Sequence, residues 1–371
     1  MVSLSARIKD FFSVLLLGAA TITPSTQTAG VSQGFYDFAR DFAHLSNIAY
    51  CVNAPITPLN PDFTCGNSCK HFPDIDLVNT FGGNFFNTSI TGYLAVDHVK
   101  KDKYVVFRGT FSLADAITDM QFLLSPFLVD VPALNTFSAN DTTADAQTHC
   151  EGCKIHDGFS KAFTETWGNI GEDLQKHLDA NPDYQLYVTG HSLGAAVALL
   201  GATSIKLKGY DPILINYGQP RVGNKPFAEF INKLWFGEGN GLEITPERKL
   251  YRMTHWNDIF VGLPNWEGYT HSNGEVYINN RFINPPLKDV ISCAGGENSK
   301  CYRSSFSLLS QINLLQNHLA YIDYIGYCAL NIGRRELADQ EHYTGPYYYG
   351  HRSEEDFKKL GLELSTPQVE N

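Results

Sequence analysis

The chain has 371 residues, enough for one large domain or two modest ones, and an apolar fraction ordinary for a globular protein with a sizeable core. Its formal net charge of −11 argues against nucleic acid and against electrostatic docking on anionic membranes, though not against a neutral apolar surface. Eight cysteines, an even number, point to disulfides formed in an oxidising compartment.

Residues 1–20 read as a secretory signal peptide, which predicts an extracellular protein. Arg7 and Lys9 precede the apolar run 11–17, and Gly18, Ala19 and Ala20 follow it. The run is too short for a membrane span, so no stable span is expected once the signal is removed; a retained amphipathic anchor is the competing reading. Residues 21–34 are small and polar and read as a leader. A domain is expected over 35–330. Beyond it, 331–371 holds charges and a tyrosine–glycine cluster, and reads as a surface extension.

Within the domain, Phe38, Phe42, Leu45 and Ala49 recur at helical spacing and predict a helix over 35–50. Strands are expected at 92–97 and 103–107, either side of a charged turn, and then at 184–189, 213–217, 249–254 and 275–280. Helices are expected at 161–179, 195–208 and 227–235. Strands alternating with helices predict an α/β fold with a mostly parallel central sheet and helices on both faces.

Three cysteine pairs are close in sequence: Cys65 with Cys69, Cys150 with Cys153, and Cys293 with Cys301. Cys51 and Cys328 are left over and read as a long staple between the two ends of the domain. The CxxC at Cys150 has no second CxxC or histidine pair at ligand spacing, so no metal site is expected. Asn87 and Asn140 each open an N-glycosylation acceptor pattern.

Gly190-His191-Ser192-Leu193-Gly194 has the G-x-S-x-G form between an expected strand and an expected helix. That context fits a nucleophile elbow, a tight turn that exposes the Ser192 hydroxyl at a helix N-terminus. The matching triad order is serine, acid, histidine. Asp258 follows the strand 249–254 and is the expected acid. Asp211 precedes its strand, and Asp289 follows two prolines with no clear strand. For the base, His271 lies close behind Asp258 and leads straight into a strand, while His342 and His351 fall in the extension. His318 opens an apolar, aromatic run ten residues before Cys328, and a disulfide there would mount its loop. It is the expected base. His191 and His255 are expected to support the site, without entering the chemistry.

With Ser192, Asp258 and His318 assigned, the chain resembles the fungal class 3 triacylglycerol lipases, and most closely their secreted yeast branch. The resemblance rests on Val105-Val106-Phe107-Arg108-Gly109, His156-Asp157-Gly158-Phe159, Thr189 to Ala196, Tyr217 to Asn224, Thr254 to Asp258 and His318-Leu319-Ala320-Tyr321. It implies an α/β-hydrolase fold, and an oxyanion hole from Thr110 and Leu193. It also implies a helical lid over 112–124, with Leu113, Ile117, Met120 and Leu124 on its apolar face. An apolar stripe of this kind is more often permanent core, and it is the position beside the oxyanion loop that favours the lid. The implied activity is hydrolysis of acylglycerols at a lipid–water interface by a Ser-His-Asp acyl-enzyme mechanism, with no cofactor. A phospholipase A1 or a feruloyl-type esterase on the same fold is the alternative. The intact set of site residues argues against a non-catalytic binding protein. The chain departs from the family pattern at Ala116, where a lid tryptophan is usual, in the length of 131–149, and in its C-terminal extension.

Overall fold

A computed structural model describes residues 26–82, 90–109, 128–130, 150–266, 268–305 and 314–326. The strands are β1 (Thr28–Gly30), β2 (Ile75–Phe81), β3 (Gly92–Asp97), β4 (Asp102–Phe107), β5 (Leu128–Asp130), β6 (Lys154–His156) and β7 (Gln185–His191). They continue as β8 (Ile213–Tyr217), β9 (Gly223–Asn224), β10 (Leu250–His255), β11 (Tyr269–Thr270), β12 (Glu275–Ile278) and β13 (Val290–Cys293). Nine of them form one sheet in the order β1-β13-β12-β10-β8-β7-β4-β3-β2. The five central strands, β12, β10, β8, β7 and β4, run parallel. Antiparallel pairs finish both edges. Of the edge strands, β3 lies where the sequence pattern placed it, whereas β1, β2 and β13 were not expected from that pattern. A small antiparallel sheet, β11-β9-β6-β5, lies apart from the main one.

The helices are α1 (Gln33–Ile48), α2 (Asp157–Asp179), α3 (Leu193–Leu207), α4 (Lys225–Phe236), α5 (Tyr302–Ser305) and α6 (Leu314–Leu319). They cover the sheet on both faces, because both faces of the parallel strands are apolar. Tyr104, Val106, Tyr187, Ile213, Ile215, Tyr217, Tyr251 and Met253 belong to the core with α1. The alternate residues Val105, Phe107, Leu186, Val188, Leu214 and Leu250 belong to the core with α2, α3 and α4. On the α1 side aromatic rings meet across the interface: Phe35 lies 5.0 Å from Tyr251, and Phe42 lies 5.0 Å from Tyr187. Truncating such a ring to alanine costs about 3–5 kcal/mol.

Side chains set where the helices begin. The Ser32 hydroxyl accepts from the Phe35 amide at 3.1 Å and opens α1. Asn224 does the same for α4, accepting from the Phe227 amide at 3.1 Å. The helix α2 starts four residues before the expected position 161, because the His156 ring accepts from the Gly158 amide at 3.1 Å. The pairs Cys65–Cys69, Cys150–Cys153 and Cys293–Cys301 are bonded. Cys51 is also disulfide-bonded; its expected partner Cys328 lies outside the described residues, as do the leader and the extension. No helix among the described residues is long and apolar enough to cross a membrane.

The topology has one consequence for function. Five parallel strands deliver their C-terminal ends to a single edge of the sheet. The segments that follow β4, β7, β8, β10 and β12 therefore meet there, where open α/β sheets place their ligand crevices.

Candidate active site

Ser192 directly follows β7 and caps α3, with φ +58° and ψ −127°. A residue with a Cβ held there costs about 1–3 kcal/mol, so its surroundings must over-determine it. They do so through the main chain. The Ser192 amide donates to the Tyr217 carbonyl of β8 at 2.9 Å, and its carbonyl accepts from the Ala195 amide at 2.9 Å. The flanking glycines are required by close approach. A Cβ on Gly194 would stand 2.5 Å from the Arg108 carbonyl oxygen, and one on Gly190 would stand 2.5 Å from the Gly194 carbonyl oxygen. Leu193 is the first residue of α3, so its amide is one of the donors that a helix leaves unpaired at its N-terminus. Arg108 is buried with its guanidinium towards the Val52 carbonyl, a structural placement.

Asp258 lies just beyond β10, after Asn257 turns the chain at φ +52°. Its carboxylate is fully buried. It accepts from the Phe260 amide at 3.0 Å and from the Tyr321 hydroxyl at 2.6 Å. His318 Nδ1 donates to the same group, 2.9 Å from Oδ2 and 3.0 Å from Oδ1. Burial alone would raise the Asp258 pKa, but the adjacent His318 and these donors outweigh it and hold the carboxyl below its ordinary value. Asp258 therefore remains ionised.

His318 belongs to α6. The Phe260 ring stacks on it at 4.1 Å, and the ring of His191, the residue before Ser192, lies 4.6 Å away. With Nδ1 committed to Asp258, the neutral imidazole presents its lone pair at Nε2. That nitrogen is buried without a hydrogen-bond partner among the described residues. An imidazole oriented by a buried carboxylate thus packs against the residue that precedes Ser192 on its strained turn, an arrangement that can activate an alcohol as a nucleophile.

The alternatives are placed elsewhere. His271 is buried with Nε2 on the Val261 carbonyl at 2.8 Å. Asp211 is exposed and pairs with Lys206 and Lys249. Asp289 accepts from Asn280 at 2.7 Å beyond β12. Glu275, Cys293 and Cys301 have ligand atoms within 4.8 Å of one another, but the two sulfurs are bonded together and are not thiolates. Thr110, Leu113, Ile117, Met120, Leu124, Asn87, Asn140, His342 and His351 lie outside the described residues.

Sequence reading attached no role to Tyr321, Tyr50 or Phe260. Tyr321 stands three residues after His318, close enough for both to reach Asp258, and that spacing was the available signal. Tyr50 donates to His191 across 141 positions, and nothing local marks it.

A model of the family described as "Lipase (class 3)" matches residues 104–268. The crystal structure of Lip2 lipase from Yarrowia lipolytica is similar at 40% identity and a TM-score of 0.74, over 82% of this chain and 99% of that one. A mono- and diacylglycerol lipase from Aspergillus oryzae superposes at a TM-score of 0.61 with 26% identity, over 80% and 99% of the two chains. The secreted mono- and diacylglycerol lipase 2 of Gibberella zeae is 29% identical over 73% of this chain and 69% of that protein.

Proposed function

The chain belongs to the class 3 lipase family and is a carboxylic ester hydrolase, and on that premise we propose that it is a secreted lipase cleaving acylglycerols at an oil–water interface through an acyl-enzyme on Ser192. One observation carries this reading. His318 gives Nδ1 to the buried Asp258 carboxylate and leaves Nε2 without a partner, beside an elbow that holds Ser192 at positive φ.

In this mechanism Ser192 Oγ attacks the ester carbonyl while His318 Nε2 takes its proton. The same nitrogen then gives that proton to the leaving alcohol. Asp258 holds the ring in its tautomer and stabilises the imidazolium that forms. The Leu193 amide and, by family resemblance, Thr110 bind the oxyanion of the tetrahedral intermediate, each worth about 3 kcal/mol. Water activated by His318 then releases the fatty acid, so the chemistry runs on the chain's own groups.

Secretion is supported by the N-terminal pattern, by the disulfides and by relatives named as secreted lipases. Cys51 is proposed to pair with Cys328. Several relatives are named mono- and diacylglycerol lipases, which favours partial glycerides as a second reading beside triacylglycerols. Rates on emulsified triacylglycerol, emulsified diacylglycerol and a dissolved short-chain ester, with Ser192→Ala as control, separate these readings. Ester turnover that survives Ser192→Ala would overturn the mechanism.

The segment 112–124 is proposed as the lid. Leu113→Ser with Ile117→Ser should lower hydrolysis of an emulsion far more than that of the dissolved ester. Oil offsets the cost of exposing the lid's apolar face, about 25 cal/mol per Å², whereas a dissolved substrate does not. Parallel losses with reduced thermal stability would make the stripe ordinary core.

A further inference from the structure

His191 is the last residue of β7, in register with Tyr217 of β8 and directly before Ser192, and its side chain is buried. Its Nε2 lies 2.8 Å from the main-chain carbonyl oxygen of His318, and its Nδ1 lies 2.7 Å from the Tyr50 hydroxyl. A carbonyl can only accept, so Nε2 carries the hydrogen. Nδ1 is then the acceptor, and the Tyr50 hydroxyl must donate to it. The two bonds select a single tautomer.

The carbonyl being held is a demanding one. His318 lies in the last turn of α6, six residues long, where helical carbonyls lose their partners within the helix. His191 supplies the donor that this end requires. Neither group drifts out of its state near neutral pH. Burial, with the neighbouring His318, holds the His191 pKa down to about 3, and burial pushes the Tyr50 hydroxyl well above its ordinary value.

We infer that His191 is a positioning residue for the reaction proposed above: from the position next to the nucleophile it fixes the main chain of His318, with Tyr50 as its anchor. Asp258 and Tyr321 orient the His318 ring, whereas His191 sets where that ring's backbone stands relative to Ser192. The distance between Ser192 and the base is thereby governed from the nucleophile's own strand. This inference rests on Ser192 and His318 being the reacting pair.

The test measures kcat per active site on a dissolved short-chain ester, with sites counted by fluorophosphonate labelling of Ser192. His191→Leu removes the donor and should lower kcat per site about 100-fold, the scale of a misplacement near 1 Å, with KM within about twofold of the parent. His191→Gln offers an amide N–H at similar reach and should recover at least about tenfold of that loss. Tyr50→Phe frees the tautomer and should cost about three- to tenfold. If His191→Leu does not fold, Tyr50→Phe decides, and an unchanged kcat per site in it overturns the inference. So does a His191→Gln variant no better than His191→Leu, which assigns the loss to packing. If the parent protein fails to label at Ser192, the mechanism falls and this inference with it. If the parent labels and the variants turn over normally, the inference alone falls.

Discussion

Main-chain geometry holds Ser192, whereas side-chain hydrogen bonds hold Asp258 and His318. The elbow is built from five consecutive residues. Two glycines let carbonyl groups approach to where a Cβ would clash, and backbone bonds to Tyr217 and Ala195 complete it. The acid–base pair draws on residues scattered over the chain: Tyr321 and His191 each contribute a hydrogen bond, and Phe260 contributes both an amide bond and a ring. The first half should fail through steric conflict and the second through an unsatisfied polar group. The two kinds of restraint also differ in reach: local sequence can encode the first, and only a finished fold can assemble the second.

The largest losses are expected at the triad residues themselves. Ser192→Ala and His318→Ala should each lower kcat by about 10⁴-fold or more and be nearly equal, because the three residues act as one unit. Asp258→Asn should cost about 10⁴-fold by presenting the wrong tautomer. Near-normal turnover in His318→Ala would remove His318 from the mechanism and dissolve the contrast between the two halves.

Next comes Gly194→Ala, which attacks the main-chain half alone. Its Cβ would meet the carbonyl oxygens of Arg108 and Phe107, both backbone atoms that cannot swing aside. Overpacking of this kind costs about 1–3 kcal/mol, and a displaced elbow should lose about 100-fold in kcat. Urea denaturation paired with kinetics reads both effects. Unchanged values would mean that the elbow tolerates more than its geometry allows.

Tyr321→Phe probes the other half. It removes the 2.6 Å donor to Asp258 and leaves the ring in place. A hydrogen bond to a charged group is worth about 1.5–3 kcal/mol, so a loss of about tenfold in kcat is expected. The sign of its pH effect follows from the depressed Asp258 pKa. The Asp258 contribution to stability is full above the ordinary carboxylate value and is lost as pH falls through the lower folded value. Without Tyr321 the folded value rises, so acid inactivation should begin at a higher pH. Coincident acid limbs in parent and variant would contradict this.

The smallest effect lies behind the site, at Glu275. It accepts from the Thr254 hydroxyl at 2.9 Å and the Tyr302 amide at 3.1 Å. Burial pushes its pKa up to about 6, against the opposing pull of Arg252. A raised carboxyl pKa means that the folded state binds the proton more tightly than the unfolded chain does. The resulting stability is present below the unfolded value of about 4.3 and is lost as pH rises through about 6, on the order of 2 kcal/mol in all. Melting curves of Glu275→Gln should lack that decline, and parallel curves for the two proteins would exclude Glu275 as its source.

The pieces legible in the sequence were those written in short range. G-x-S-x-G between a strand and a helix placed the elbow, and apolar runs at strand length placed β4, β7, β8, β10 and β12 within a few residues. The position of Asp258 just past a strand could be read for the same reason, since a strand end is a local event. Tertiary structure decided the rest. The antiparallel edges depend on pairings with chain far away, β1 with β13 among them, and short strands of mixed polarity carry no period to read. The choice of His318 over His271 became physical only when one ring faced Asp258 and the other was committed to the Val261 carbonyl. The parts of Tyr321 and Tyr50 follow from folding as well, because a hydrogen bond is a matter of distance in space and sequence specifies only the groups that could make one.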